Sequence, residues 1–144
     1  MFCNKTSNHL INRTHKRALR VIQNDTLISY EEVLTLTGSK YLHTRNLELL
    51  MTEVYKSLNS LNPKFMHEIF AKKDSTYQFR ADCILKPPFI DKNQIQFISL
   101  NSLELRSTLA WNKLPNFLKN CKTIVEFKSK IDCVSVYCNC KICA

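Results

Sequence analysis

The stretch 47-LELLMTEVYKSLNSL-61 carries the strongest periodic pattern in the chain. Its apolar positions alternate between spacings of three and four, and they are Leu47, Leu50, Met51, Val54, Tyr55, Leu58 and Leu61. This spacing places them on one face of an α-helix. We therefore predict a core-facing helix over roughly Tyr41–Leu61, in which the methionine and the tyrosine are core residues rather than contacts to a cofactor.

Capping signals outline further helices on both sides of this stretch. Ser29 and Glu32 have the spacing of a capping box, and the short helix that follows should end at Gly38, the only glycine in the chain. Thr123 and Glu126 repeat the capping spacing before a last helix. The remaining helices are predicted over Asn8–Asn24, from Asn62-Pro63 (cap and first-turn proline) through Phe70, and over Ser102–Lys113.

The helical pattern is interrupted between the two halves of the chain. Pro87-Pro88 forbids a continuous helix there, and the alternating runs Tyr77–Arg80 and Ile95–Ile98 can pair as a short β-hairpin. The predicted fold is a small, mainly α domain in two lobes, with one short β-hairpin and a Cys-rich C-terminal tail. The predicted segments are a basic helical lobe at 1–71, a connector at 72–101, a short helical lobe at 102–132 and the tail at 133–144.

Composition narrows the class of protein. At 144 residues one domain is expected, and the hydrophobic and aromatic contents of 44% and 10% are those of a globular chain. No apolar run approaches the roughly 18 residues of a spanning helix. The N-terminus has no apolar signal region, so we expect an intracellular protein with reduced thiols and no membrane partner. A single glycine argues against β-barrels, P-loops and dinucleotide folds.

The formal net charge of +9 is concentrated at the N-terminus. Residues 1–24 contain no acid, and their basic residues are Lys5, Arg13, Lys16, Arg17 and Arg20. The last four recur at i, i+3, i+4 and i+7, which predicts a basic stripe on a helix whose opposite face, with Ile11, Ala18 and Ile22, packs. This stripe predicts a polyanionic partner, for which RNA or DNA phosphates are the first candidate and an acidic membrane surface is the second. The alternative is a solvated helix face.

The motifs of common catalytic sites do not occur in this sequence. It has no paired aspartates, no G-x-S-x-G or H-E-x-x-H motif and no glycine-rich phosphate loop. The histidines are dispersed at His9, His15, His43 and His67. We expect His15 and His43 to be structural, because they lie near apolar faces. The sequence predicts that this chain alone is not an enzyme.

The tail carries a possible metal site. Cys133, Cys138, Cys140 and Cys143 form a C-x4-C-x-C-x2-C pattern. Four thiolates can close a tetrahedral zinc site, although the C-x-C step is tighter than ordinary zinc fingers use. Cys121 or a histidine is an alternative fourth ligand. Zinc is thus a possible cofactor, and free or oxidised thiols on a frayed terminus are the alternative.

Several segments together resemble, in the same order, the region near the C-terminal end of non-LTR (LINE-type) retrotransposon reverse transcriptases. The N-terminal segments are Phe2-Cys3, Ile11-Asn12, His15–Asp25, Ser29–Leu34, His43–Leu47, Leu50–Lys56 and Asn62–Met66. The C-terminal segments are Tyr77–Arg80, Trp111–Pro115, Glu126–Ile131 and Cys138–Cys143. The resemblance departs at Cys83–Leu105, which lacks the family's glycines, and at Cys133, which has no family counterpart.

The resemblance implies the region that follows the polymerase core of an RNA-directed DNA polymerase. In that family the palm aspartates and the endonuclease domain lie upstream, so no catalytic residue carries over to this chain. The implied function is non-catalytic, sequence-independent RNA or DNA binding beside the missing upstream polymerase domains. The alternatives are a stand-alone helical protein-interaction module, with Leu47–Leu61 and Trp111 as its surface, and a small zinc module.

Overall fold

The computed structural model describes residues 5–70, 72, 83–88 and 102–134, and this part of the chain is mainly α-helical. Its helices are α1 (Lys5–Gln23), α2 (Tyr30–Leu36), α3 (Leu42–Leu58), α4 (Lys64–Ile69), α5 (Leu103–Lys113), α6 (Asn116–Lys119) and α7 (Ile124–Ile131). The predicted mainly α class is confirmed. Within the described residues, β pairing is limited to one isolated antiparallel bridge between Lys72 and Leu85. The predicted hairpin of Tyr77–Arg80 with Ile95–Ile98 lies outside them.

The chain divides into two compact units between Asn46 and Leu47, which we call the N-terminal and C-terminal units. This division falls within α3, whereas the sequence placed the boundary between lobes at 71–72. The reason is that the second half of α3 belongs to the core of the C-terminal unit, where Tyr55 stacks on Phe127 of α7.

The N-terminal unit has a small core between α1 and α2. Leu19 of α1 packs with Val33 and Leu34 of α2, and all three are buried. Ile28 and Tyr30 are partly buried against this cluster. The core of this unit is therefore made by one position of α1 and by the short helix that follows it.

The C-terminal unit has an aromatic core. Phe127 stacks on Tyr55 with ring centroids 4.5 Å apart and on Trp111 with centroids 6.0 Å apart. The hydroxyl of Tyr55 donates a 2.8 Å hydrogen bond to the backbone carbonyl of Cys121. The other buried apolar side chains of this unit include Leu47, Met51, Val54, Phe70, Leu85, Leu105, Ala110, Leu114, Leu118 and Ile131. The periodic face of α3 is thus confirmed as core at Leu47, Met51, Val54 and Tyr55. Leu50 and Leu58 are half-buried, and Leu61, which follows the end of α3, is 57% exposed.

Residues 83–88 are held against α5 by two neighbouring side chains. The indole of Trp111 donates to the carbonyl of Cys83 at 3.1 Å. The amide of Asn112 accepts from the backbone N–H of Leu85 at 2.8 Å and donates to its carbonyl at 2.9 Å. We call this pairing the Asn112 clamp. It satisfies both polar backbone groups of a fully buried leucine, as a neighbouring strand would.

Both predicted capping boxes begin helices, in slightly different ways. At α2 the hydroxyl of Ser29 accepts from the N–H of Glu32, and the carboxylate of Glu32 accepts from the N–H of Ser29. At α7 the hydroxyl of Thr123 accepts from the N–H of Glu126, but this carboxylate accepts from the N–H of Lys122 instead. These bonds satisfy backbone donors that have no partner within the helix.

Three helix ends use residues with left-handed backbone. Gly38 follows α2 with φ of 60°, and the bonds from Gly38 N–H to Thr35 and from Ser39 N–H to Leu34 form a Schellman motif. Asn24 ends α1 in the same way with φ of 53°, and Ser60 follows α3 with φ of 58°. The glycine stop is confirmed, and two non-glycine residues adopt the same conformation.

The start of α4 differs from the prediction. Pro63 occupies the cap position, with no side-chain cap. The amide of Asn62 instead donates to the carboxylate of Glu53 at 3.3 Å and to the hydroxyl of Ser57 at 3.1 Å. Lys56 also donates to this carboxylate, and these bonds lower the pKa of Glu53 below its ordinary value. Asn62 therefore ties the chain after α3 back onto that helix.

Candidate nucleic-acid interface

The basic stripe lies on α1, as the sequence predicts. Arg13 and Arg17 are exposed and stand one helical turn apart, and Lys16 beside them is half-buried. Lys5 is the first residue of α1, and its side chain lies outside the described part of the chain. The two exposed guanidinium groups are thus the most accessible charges of the predicted stripe.

Arg20, the fourth member of the stripe, has a structural contact that the sequence pattern did not indicate. Its Nε and Nη2 atoms donate to the carbonyl of Ile28 at 2.8 and 2.5 Å. The turn that presents this carbonyl is held by the carboxylate of Asp25, which accepts from the N–H groups of Leu27 and Ile28 at 2.8 and 3.3 Å. Arg20 therefore joins the end of α1 to the segment that leads into α2.

The apolar side of α1 is largely uncovered, contrary to the prediction that it packs. Leu19 is buried against α2, but Ile11 is 43% exposed and Ile22 is 71% exposed. Leu10 and Val21 are 56% and 79% exposed. The prediction was wrong because α2 contacts the side of α1 that carries Leu19, His15 and Arg20, which is next to the apolar face rather than on it.

The structural interpretation of His15 is confirmed. Its Nδ1 atom lies 2.8 Å from the hydroxyl oxygen of Tyr30, and the two rings meet edge to face. Tyr30 also meets the ring of Tyr41 edge to face, with centroids 5.5 Å apart. Burial and the neighbouring Tyr41 raise the pKa of the Tyr30 hydroxyl. This hydroxyl stays protonated at neutral pH and holds α1 against the start of α2.

A recess of about 400 Å³ lies in the N-terminal unit between the end of α2 and the start of α3. Glu31, Gly38, Lys40, Tyr41 and Thr44 are among its lining residues. The hydroxyl of Tyr41 donates to the carboxylate of Glu31 at 3.4 Å, a long hydrogen bond. Histidine and cysteine do not occur among the described residues that line it.

The candidate zinc ligands stay a prediction. Cys133 is exposed at the end of the described region, and Cys138, Cys140 and Cys143 lie outside it. Cys121, the alternative ligand, is buried, and this burial raises the pKa of its thiol and disfavours the thiolate that would bind a metal. Across residues 5–70, 72, 83–88 and 102–134, no group of three or more potential ligand residues comes together.

No family model, curated protein or solved structure matches this chain. Among the helices of the described residues, none combines the length and apolar character needed to cross a bilayer. The resemblance to reverse transcriptases therefore remains an interpretation of the residues alone.

Proposed function

We propose that this chain is a non-catalytic part of a LINE-type RNA-directed DNA polymerase and that it binds the phosphate backbone of RNA or DNA through α1. Arg13 and Arg17 are the principal contacts, and Lys16 and Lys5 are secondary contacts. The observation that carries the binding proposal is the pair of exposed arginines on a helix that contains no acidic residue.

The spacing of these arginines suits a nucleic-acid backbone. Four residues of α-helix advance about 6 Å, whereas each strand of a duplex advances about 3.4 Å per phosphate. Arg13 and Arg17 can therefore reach phosphates one to two nucleotides apart. Contacts of this kind give affinity without sequence recognition.

Arg20 has a different place in the proposal. The sequence alone assigned it to the phosphates together with Arg13 and Arg17. Because its guanidinium donates to the carbonyl of Ile28, replacing Arg20 would disturb the packing of α1 as well as remove a charge. The decisive variant is therefore the double substitution Arg13→Ala/Arg17→Ala, which leaves the described contacts between α1 and α2 in place.

The test is the salt dependence of binding to a short single-stranded RNA and to a DNA duplex of unrelated sequence. Affinity is measured between about 50 and 200 mM salt for the wild-type chain and for the double variant. We expect the slope of log K against log salt to fall in magnitude by about 1.4–1.8 in the variant, from 0.7–0.9 for each lost contact. Exchanging the nucleotide sequence of the RNA or DNA should change the affinity little.

A charge-matched control separates a specific stripe from general attraction. Lys122→Ala/Lys128→Ala removes two exposed charges from the C-terminal unit. We expect the salt slope of this control to equal that of the wild type. Equal losses in both variants, or an unchanged slope in the arginine variant, would contradict the assignment to α1.

Part of the surface expected for the alternative interaction module is buried. The sequence assigns that surface to the long helix Leu47–Leu61 and the Trp111 segment. Trp111 is 1% exposed, and Met51 and Val54 of α3 are fully buried. These side chains form the core of the C-terminal unit and do not present a surface to a partner.

A further inference from the structure

The exposed side of α1 carries an apolar surface, which we call the apolar face and define as Leu10, Ile11, Ala18, Val21 and Ile22. Its four large side chains are between 43% and 79% exposed. Single exposed hydrophobic residues are normal on a protein surface, but a continuous group of them marks a contact site. Because these side chains lie together on one side of α1, we interpret the apolar face as a contact site for another molecule.

The residues of this surface lie in two neighbouring rows along the helix. Ile11, Ala18 and Ile22 follow at intervals of seven and four, which is the spacing at which one helix packs against another. Leu10 and Val21 lie in the second row, with Arg17 between them. The small side chain of Ala18 leaves room at the centre for the close approach of a second helix, and Arg17 places a positive charge beside that centre.

Charge determines which helix fits. Because residues 1–24 contain no acidic residue, a second copy of α1 would bring only positive charge towards Arg13 and Arg17. A membrane surface is a poorer fit, because α1 has no aromatic anchor. A helix with apolar residues on one side and acidic residues along its edge complements both features.

We propose that α1 docks an acidic amphipathic helix of a partner protein. Leucine-type side chains of the partner pack on Ile11, Ala18 and Ile22, and its carboxylates pair with Arg13 and Arg17. The arginines are shared with the proposed nucleic-acid contacts, whereas the large apolar side chains are not. An apolar variant therefore separates this proposal from the proposed function.

The test uses the full chain and two synthetic helical peptides. One peptide has leucine at the packing positions and glutamate at the flanking positions, and the matched peptide has lysine in place of each glutamate. We expect saturable, salt-sensitive binding of the acidic peptide only. Ile11→Gln/Ile22→Gln should weaken this binding by about tenfold or more, because two buried contacts are lost. The same variant should keep the wild-type salt slope with RNA.

A matched apolar control comes from α5 of the C-terminal unit. Leu103 and Leu109 are 56% and 46% exposed, and Leu103→Gln/Leu109→Gln should bind the acidic peptide as the wild type does. Equal binding of both peptides, no saturable binding of the acidic peptide at about 1 mM, or no effect of the Ile11/Ile22 variant would overturn the proposal. It would also be overturned if these two isoleucines were required instead for binding phosphatidylserine vesicles or for self-association.

Discussion

The two units of this chain use different forces to hold their helices. In the C-terminal unit, the rings of Tyr55 and Trp111 stack on Phe127, and many aliphatic side chains of the unit are buried. In the N-terminal unit the buried cluster consists of Leu19, Val33 and Leu34, and polar bonds such as that from Arg20 to Ile28 hold α1 in place.

Because of this difference, one unit has the larger stabilising core and the other has the larger exposed apolar surface. Apolar burial contributes about 25 cal/mol for each Å² removed from water, so the aromatic core carries most of the stabilisation. The N-terminal unit buries few apolar side chains and leaves four large ones on α1 exposed. The region with the smaller core is thus the one to which both proposals of partner binding are assigned.

The largest expected effect concerns the aromatic core. Phe127→Ala should lower the free energy of unfolding by about 3–5 kcal/mol, since it leaves a cavity between Tyr55 and Trp111. Leu19→Ala in the N-terminal unit should cost about 2 kcal/mol, at the lower end for a leucine. Urea unfolding followed by circular dichroism measures both changes. A larger loss for Leu19→Ala would reverse the comparison between the units.

The Asn112 clamp should give the next largest effect. Asn112→Ala removes two hydrogen bonds and leaves both polar backbone groups of buried Leu85 without this partner. We expect a loss of about 2–3 kcal/mol. Hydrogen exchange should show that the amide of Leu85 loses its protection. The control Lys86→Ala changes an exposed neighbour and should leave both measurements at their wild-type values.

Left-handed helix ends provide a smaller and opposite pair of effects. Gly38→Ala should destabilise the N-terminal unit by about 1 kcal/mol, through backbone strain alone. An added Cβ there meets no atom within 4 Å. Ser60→Gly relieves the same kind of strain after α3, and it should stabilise the C-terminal unit by about 0.5–1 kcal/mol. Thermal unfolding of the two variants should shift in opposite directions; two shifts of the same sign would refute the strain argument.

The smallest effect is a dependence on pH. Bonds from Lys56 and Asn62 lower the pKa of Glu53 below its ordinary value of 4.5. The ionised Glu53 carboxylate therefore stabilises the fold fully at pH values above 4.5, and this contribution is lost as the pH falls through the lowered pKa of the folded state. Glu53→Gln should flatten the acid side of a stability profile measured by urea unfolding between neutral and acidic pH. Glu68→Gln, which removes an exposed carboxylate, should keep the wild-type slope.

Local signals in the sequence predicted local structure. The spacing of Leu47, Met51 and Val54 identified the buried face of α3, because helix periodicity depends only on near neighbours. Ser29 and Gly38 likewise marked the start and end of α2, because each makes its bonds within a few residues.

Contacts over longer separations were not predictable from the sequence. Asn112 lies 27 residues from Leu85, and no periodicity links an amide to the backbone of a distant extended segment. The basic stripe on α1 was correct in position, but the contact of Arg20 depends on the turn at Asp25 that presents Ile28. The apolar face of α1 was assigned to the core because a helical pattern shows which side is apolar, not what covers it.

The bond from Tyr55 to Cys121 has a consequence for synthesis on the ribosome. The two residues that it joins are 66 positions apart in the sequence. At a translation rate of about 5–20 residues per second, Cys121 is therefore synthesised roughly 3–13 s after Tyr55. During that interval the side chains of Leu47, Met51 and Val54 lack the later helices of their core. The apolar face of α3 is therefore exposed on the nascent chain, where chaperones can bind it, until residues near Phe127 have left the exit tunnel.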